Sequence, residues 1–133
     1  MSNLTSKQQV GSLGEKLASD YLINKGFKLV SKNYRQKCGE IDLIMNLRGE
    51  LRFIEVKTVT VKQNSYVIRE TSDNYEPEDN IHPWKLKRLA RTIEVYLMDK
   101  NVSEDVDWQL DAVTVYLDEN QKLIKIEHLE DIF

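Results

Sequence analysis

Apolar positions follow two rhythms along this chain. Between Ser6 and Lys25 they recur at helical spacing, with Val10, Leu13, Leu17, Ala18, Tyr21 and Leu22 on one face. That spacing predicts a helix capped by Thr5 or Ser6 and ended by Gly26. Gly11 and Gly14 lie inside it. Each glycine weakens a helix interior by up to about 1 kcal/mol relative to alanine, so both are expected to have a packing reason. From Phe27 to Asn33 the rhythm becomes alternation and predicts a first strand, followed by a basic loop at Tyr34-Arg35-Gln36-Lys37. Two further strands follow, around Gly39-Glu40-Ile41-Asp42-Leu43-Ile44 and Phe53-Ile54-Glu55-Val56-Lys57, in a hairpin extending to about Lys62. Pro83 then opens a second helix running to about Lys100, with Leu86, Leu89, Ala90, Ile93, Tyr96 and Leu97 as its inner stripe.

Trp108 to Tyr116 and Leu123 to Glu127 read as the last two strands. Leu129, Ile132 and Phe133 leave an apolar tail, expected to dock on the domain or on a second copy in a homodimer. Periodicity fails from Gln63 to His82, an acidic stretch interrupted by Pro77, where only Tyr66-Val67-Ile68 suggests a short strand or helical turn. The order is helix, three strands, long loop, helix, two strands. It predicts one α/β domain over residues 1–133, with a mixed central β-sheet flanked by helices, a three-strand meander and a helical crossover to the fourth strand.

The hairpin carries the chemistry. If Arg48 and Gly49 form a two-residue loop, Leu47 pairs with Glu50, Asp42 falls opposite Glu55, and Glu40 opposite Lys57. Paired residues share a face at roughly 5 Å between Cβ atoms. One face then carries Glu40, Asp42, Glu55 and Lys57, continuing into Ile44 and Phe53, while Ile41, Leu43, Ile54 and Val56 fill the other. Like charges about 4 Å apart repel by about 4 kcal/mol at an effective dielectric near 20. A divalent cation removes that repulsion, and a small set of hard oxygens suits Mg²⁺, with Mn²⁺ as a substitute. The alternative is a solvated hairpin end with Lys57 paired to a carboxylate. Glu15, at the edge of the first helix's apolar face, either reaches towards this patch or pairs with Lys16 or Ser19 in solvent.

Composition narrows the setting. The chain has 133 residues, 41% hydrophobic and 31% charged, with a net charge of −3. No global positive field advertises nucleic-acid binding, so that work would fall to local patches. Arg35 and the ridge Lys85, Arg88, Arg91 are the candidates for phosphate contacts, or else an ordinary solvated helix face. Trp84 or Tyr34 could stack on a base; plain packing is the alternative for Trp84. The single Cys38 excludes an intrachain disulfide and reads as a buried thiol. His82 and His128 lie far apart with no cysteine partner and make a weak zinc case. No signal peptide or membrane-length apolar run is present, so a cytoplasmic protein is expected.

The acid on one strand and the acid-x-Lys trio on the next resemble the restriction-endonuclease-like PD-(D/E)XK superfamily. Asp42 supplies the first acid and Glu55-Val56-Lys57 the trio, with Ile41 where the pattern's proline would stand. The chain is also similar to the YraN-like family of small bacterial proteins. That similarity runs through Gly11-x-x-Gly14-Glu15 with Ala18, Asn33-x-Arg35, Gly39 to Ile44, Phe53 to Thr58, and Lys87, Ala90, Tyr96 and Leu97, reaching Asp111. The resemblance implies a restriction-endonuclease-like core, Mg²⁺ binding and a nucleic-acid ligand, DNA first. It implies metal ligation by Asp42 and Glu55, a catalytic role for Lys57, and a helix-borne acid, Glu15, beside the site. Glu40 lies on the active face, and Asp111 is expected to be structural or to support the site from behind. Gln109 stands where the family usually has Arg, Val59 where a basic residue often follows Lys-Thr, and the acidic loop is longer.

Three functions are therefore expected to compete: a metal-dependent nuclease cutting phosphodiester bonds, an inactive nucleic-acid-binding module of the same fold, and a protein-interaction domain using the tail and the acidic loop.

Overall fold

A computed structural model describes residues 5–62 and 83–133. Helix α1 spans Ser6–Asn24 and starts on a capping box, in which the Thr5 side chain accepts from Gln8 N–H and the Gln8 side chain accepts from Thr5 N–H. Strands β1 (Lys28–Gln36), β2 (Gly39–Leu47) and β3 (Glu50–Thr60) form an antiparallel meander. Helix α2 (Pro83–Asp99) precedes β4 (Trp108–Leu117), which lies parallel to β3, and β5 (Leu123–Leu129) closes the sheet antiparallel to β4. Strand order is β1-β2-β3-β4-β5, a mixed five-stranded sheet in an α/β fold.

A helix covers each face. Ala18 and Leu22 of α1 pack with Leu43, Met45, Ile54, Val113, Val115 and Leu117, joined at the margin by Val10, Leu13, Leu17 and Tyr21. Leu89, Ile93 and Tyr96 of α2 pack on the opposite face with Ile41, Ile44, Phe53 and Leu110. Both apolar stripes expected from the helical spacing are therefore the buried ones. Among the described residues, no helix is long and apolar enough to cross a membrane.

The β2–β3 turn has the expected loop. Arg48 (φ 53°) and Gly49 (φ 90°) both take positive φ, the requirement of a type I′ hairpin, and Asn46 Oδ1 accepts from Gly49 N–H. The expected basic loop at Tyr34–Lys37 is instead mostly strand: β1 continues to Gln36, and only Lys37 and Cys38 turn the chain. The tail docks on the domain itself, with Ile132 N–H on Leu110 O and Phe133 edge-on to Trp108. The readings made for Gln63–His82, including the 66–68 segment and His82, lie outside the described residues.

The two α1 glycines separate. A Cβ on Gly14 would stand 1.8 Å from Thr58 Oγ1, so this glycine lets the helix settle on β3. A Cβ on Gly11 would meet nothing within 4 Å, and the packing reason expected for it is not there. Alanine at the two sites is thus expected to act with opposite sign in urea melts. Gly11→Ala raises stability by about 0.5–1 kcal/mol through helix propensity. Gly14→Ala lowers it by about 1–3 kcal/mol through overpacking. Equal effects at both sites would contradict this account.

Candidate functional site

The β2–β3 ladder runs from Leu47↔Glu50 to Leu43↔Ile54 and stops. Beyond that point β2 pairs with β1, and β3 pairs with β4, so the two strands part in a fork. Asp42 and Glu55 sit one residue past the last pair, in the mouth of the fork. The expected register therefore holds, and the two carboxyls share a hydrogen bond. The parting leaves the Val56 N–H without a β2 carbonyl, and Asp42 Oδ2 accepts it at 2.8 Å.

The expected pairing of Glu40 with Lys57 does not form, because the strands have separated by then. Alternation also slips inside β2. Ile41 joins Ile44 and Phe53 on the α2 face, whereas it was expected beside Leu43. The slip lies opposite Asn33, whose backbone is left-handed (φ 54°) in the middle of β1. Asn tolerates this region better than most side chains. With its amide nitrogen turned inward, Asn33 donates to Glu15 Oε1 at 3.1 Å and to Glu40 Oε2 at 3.2 Å. Asn33 thus ties the helix-borne acid to the sheet.

The result is a chain of acids bracketed by cations. Lys85 Nζ lies 2.6 Å from Glu55 Oε2, Glu55 meets Asp42, Asn33 bridges Glu15 to Glu40, and Arg35 bonds Glu40 at 3.0 Å. Burial first, and the Glu55 charge second, push Asp42 up to about 8, although Val56 N–H opposes the shift. Burial, then Glu40 and Glu55, raise Glu15 as well. Two carboxyls that share a site cannot both ionise cheaply, which is why the Glu55 charge adds to the rise at Asp42.

The other expected residues fall around this core. Lys57 is exposed and borders a cleft of about 430 Å³ with Glu15, Gly11, Val56 and Lys7. Arg88 lies over the Trp84 ring at 4.6 Å, and Arg91 is exposed further along α2. Tyr34 packs edge-on against Tyr96 and donates to Asp99. The Cys38 thiol is half-buried and contacts the Thr92 hydroxyl at 3.3 Å.

A second cluster escaped sequence reasoning. Asp111, His128 and Glu130 each bring one ligand atom within 4.8 Å of the others, a grouping that could hold a metal ion. Glu15, Asp42 and Glu55 make no threesome that tight. Arg52, however, already fills the second cluster: its Nη1 donates to Asp111 at 3.0 Å and to Glu130 at 2.9 Å, and it also pairs with Glu50. Asp111 is fully buried, and its two oxygens take contacts from Arg52, His128 Nε2, Gln109 and Asp131 N–H. Burial works to raise this carboxyl, but the hydrogen bonds outweigh it and hold it below the usual range. The structural role expected for Asp111 fits this geometry. His128, expected to be incidental, is a partner in the clamp. Gln109, which stands in place of the family's Arg, serves it too. The available signal was a charged residue inside each of two apolar strands, Arg52 and Asp111.

The profile of the Uncharacterised protein family UPF0102 matches residues 14–115. The chain belongs to this family. The matched span takes in Glu15, Asn33, Glu40, Asp42, Glu55 and Lys57. A UPF0102 protein of Alkaliphilus oremlandii is 35% identical over 128 residues, covering 95% of this chain and 98% of its own. Another, from Caldanaerobacter subterraneus subsp. tengcongensis, is 34% identical over 130 residues and covers 96% and 97%. The solved structure of Pyrococcus furiosus SfsA in complex with Ca²⁺ aligns over 93% of this chain and 63% of that one, at 14% identity and a TM-score of 0.36. That likeness is too loose to bear on function.

The two acid clusters are expected to respond oppositely to substitution. Asp42 holds its proton more tightly when folded than when unfolded, so the stabilisation is complete below about pH 4 and drains away as pH rises towards 8. Metal-free protein should therefore melt at a falling temperature from pH 5 to 8.5. Asp42→Asn, which keeps an acceptor for Val56 N–H and offers Glu55 a donor, should flatten that slope and melt higher at pH 8. Arg52→Met strands a buried Asp111 and should lower stability by about 3–5 kcal/mol. A steep slope surviving in Asp42→Asn would show that the fork does not cause it.

Proposed function

We propose that the protein is a metal-dependent nuclease, with the fork of β2 and β3 as its catalytic centre. The observation that carries this reading is the Asp42–Glu55 carboxyl pair, held in contact at the mouth of the fork. The donor set fits a hard divalent cation: two carboxylates in direct contact, with Glu15 one step back, suit an ion that keeps several waters. Asp42 and Glu55 would hold Mg²⁺ or Mn²⁺, and Glu15 would reach it through a water. Such an ion would lower the pKa of a bound water and neutralise charge on a phosphodiester.

The chain's own groups supply the rest. Val56 N–H fixes the Asp42 carboxylate, so its free oxygen points in one direction. Asn33 holds Glu15 in place from the sheet edge. Lys57, two residues beyond Glu55 on the same strand, supplies the ammonium that positions the attacking water and offsets charge building on the phosphate. The resemblance to PD-(D/E)XK enzymes supports the same assignment of Asp42, Glu55 and Lys57.

One contact favours a second reading. The Lys85 ammonium occupies Glu55 at 2.6 Å, as a permanent counter-ion would in a binding module that cuts nothing. Metal titration decides between the two. For the nuclease, Mn²⁺ or Mg²⁺ at millimolar concentration raises the melting temperature by several degrees, and more so at pH 8 than at pH 6. Lys85→Met enlarges that rise by removing the competing cation, while Asp42→Asn and Glu55→Gln abolish it. Incubation with single-stranded, flapped and branched DNA gives cleavage that drops at least 100-fold in Lys57→Ala. No metal response in either the parent or Lys85→Met leaves the binding module standing.

A further inference from the structure

Alternation sorts the fork end of β3 by face. Ile54 and Val56 pack towards α1, and Thr58 lies against Gly14 of α1. Phe53 packs towards α2, and Glu55 meets Lys85 of α2. Lys57 stands two residues past Glu55, so it leaves the sheet on the α2 side. Strand β4 follows the same rule: Val113, Val115 and Leu117 pack towards α1, and Leu110 towards α2. Ala112, Thr114 and Tyr116 therefore share the α2 side with Glu55 and Lys57.

The ladders set these residues side by side. Glu55 is paired with Ala112 and Lys57 with Thr114, and across β4 Thr114 is paired with Glu127 of β5. Neighbouring strands lie about 4.8 Å apart, so Thr114 stands between a lysine and a glutamate on one face. Thr114 is 1% exposed, and its hydroxyl is buried without a hydrogen-bond partner. Among the described residues it is the one buried side-chain polar atom in that state. A bare buried hydroxyl is destabilising, and valine, which stands at 113 and 115 on the same strand, has the same shape without that cost. Glu127 does not relieve it, because its oxygens bond instead to Tyr116 at 2.8 Å and Lys125 at 3.4 Å. Lys57, on the other side, is exposed and makes no hydrogen bond or ion pair among the described residues. A free donor and a free acceptor thus occupy paired positions beside the acids.

We propose that Thr114 is a positioning residue for Lys57: its hydroxyl accepts a hydrogen bond from the Lys57 ammonium and fixes where that charge stands beside Glu55 during cleavage. This rests on the nuclease reading and deepens it. A lysine carries its charge on a flexible four-carbon stem, so an ammonium that must act at one point needs a fixed acceptor. Thr114 is fixed, being β-branched and buried in a strand paired on both sides. A neutral acceptor also leaves the positive charge available to phosphate, whereas a carboxylate at the same position would cancel it. Ala112, the next residue on this face towards Glu55, adds no polar side chain to compete for the ammonium.

The test joins melting of the metal-free protein to cleavage kinetics in Mn²⁺, on whichever of single-stranded, flapped or branched DNA the parent cuts fastest. Thr114→Val should melt no lower than the parent, since it removes an unpaired hydroxyl and keeps the shape. The same variant should lower kcat at least tenfold with KM within twofold. Thr114→Ser, which keeps the hydroxyl, should stay within threefold of the parent, and Glu127→Gln within twofold. With enzyme in excess, adding Thr114→Val to Lys57→Ala should change the residual rate less than twofold, because both substitutions act through one group. Thr114→Val cutting as fast as the parent overturns the proposal, and so does a further tenfold fall in the Lys57→Ala background. A Thr114→Val protein that melts several degrees lower overturns it too, because the hydroxyl would then be bonded in the resting fold. In those three cases the parent still cuts and the nuclease reading stands. A parent that cuts none of the three DNAs removes that reading and this proposal together.

Discussion

The hydrogen bond from Val56 N–H to Asp42 Oδ2 marks where two paired strands give each other up. A backbone N–H inside a sheet must find an acceptor, because leaving it bare costs more than the bond itself contributes. Here the acceptor is a carboxylate instead of a carbonyl. That exchange lets β3, which is paired with β4 from Leu51 to Thr60, run on past the end of its pairing with β2 with the Val56 N–H still satisfied. It also draws an acid into the gap. The fork and its chemistry are therefore one feature: the group that repairs the backbone is the group that meets Glu55.

Much of this was written in the sequence. The Arg48-Gly49 turn fixes the register, and the register sets Asp42 against Glu55, so simple alternation located the acid pair. The helical stripes of α1 and α2 were equally legible, since each is carried by several large apolar residues. What alternation could not show was its own failure. Nothing in the Phe27–Asn33 pattern says that Asn33 turns left-handed, and that turn moves Ile41 to the far face. The Lys85–Glu55 contact was hidden for a different reason, because it joins residues 30 positions apart through a crossover that local pattern does not constrain.

The two acid clusters show how similar inventories acquire different meanings. Asp111 is more deeply buried than Asp42, yet it is held low, because Arg52, His128, Gln109 and a backbone N–H all converge on it. Asp42 has one backbone donor and a like-charged neighbour, so it is held high. Satisfaction by fixed donors marks the clamp that ties β3, β4, β5 and the chain end together.

Asn33 has a consequence outside the acid cluster. Strand β1 is an outer strand of the sheet, and such strands offer a row of bare amides and carbonyls to any passing chain. The bulge near Val30 and the left-handed turn at Asn33 break that row twice within a few residues. A neighbouring molecule cannot zip onto so uneven a border, so the irregularity that anchors Glu15 also guards the protein against edge-to-edge polymerisation.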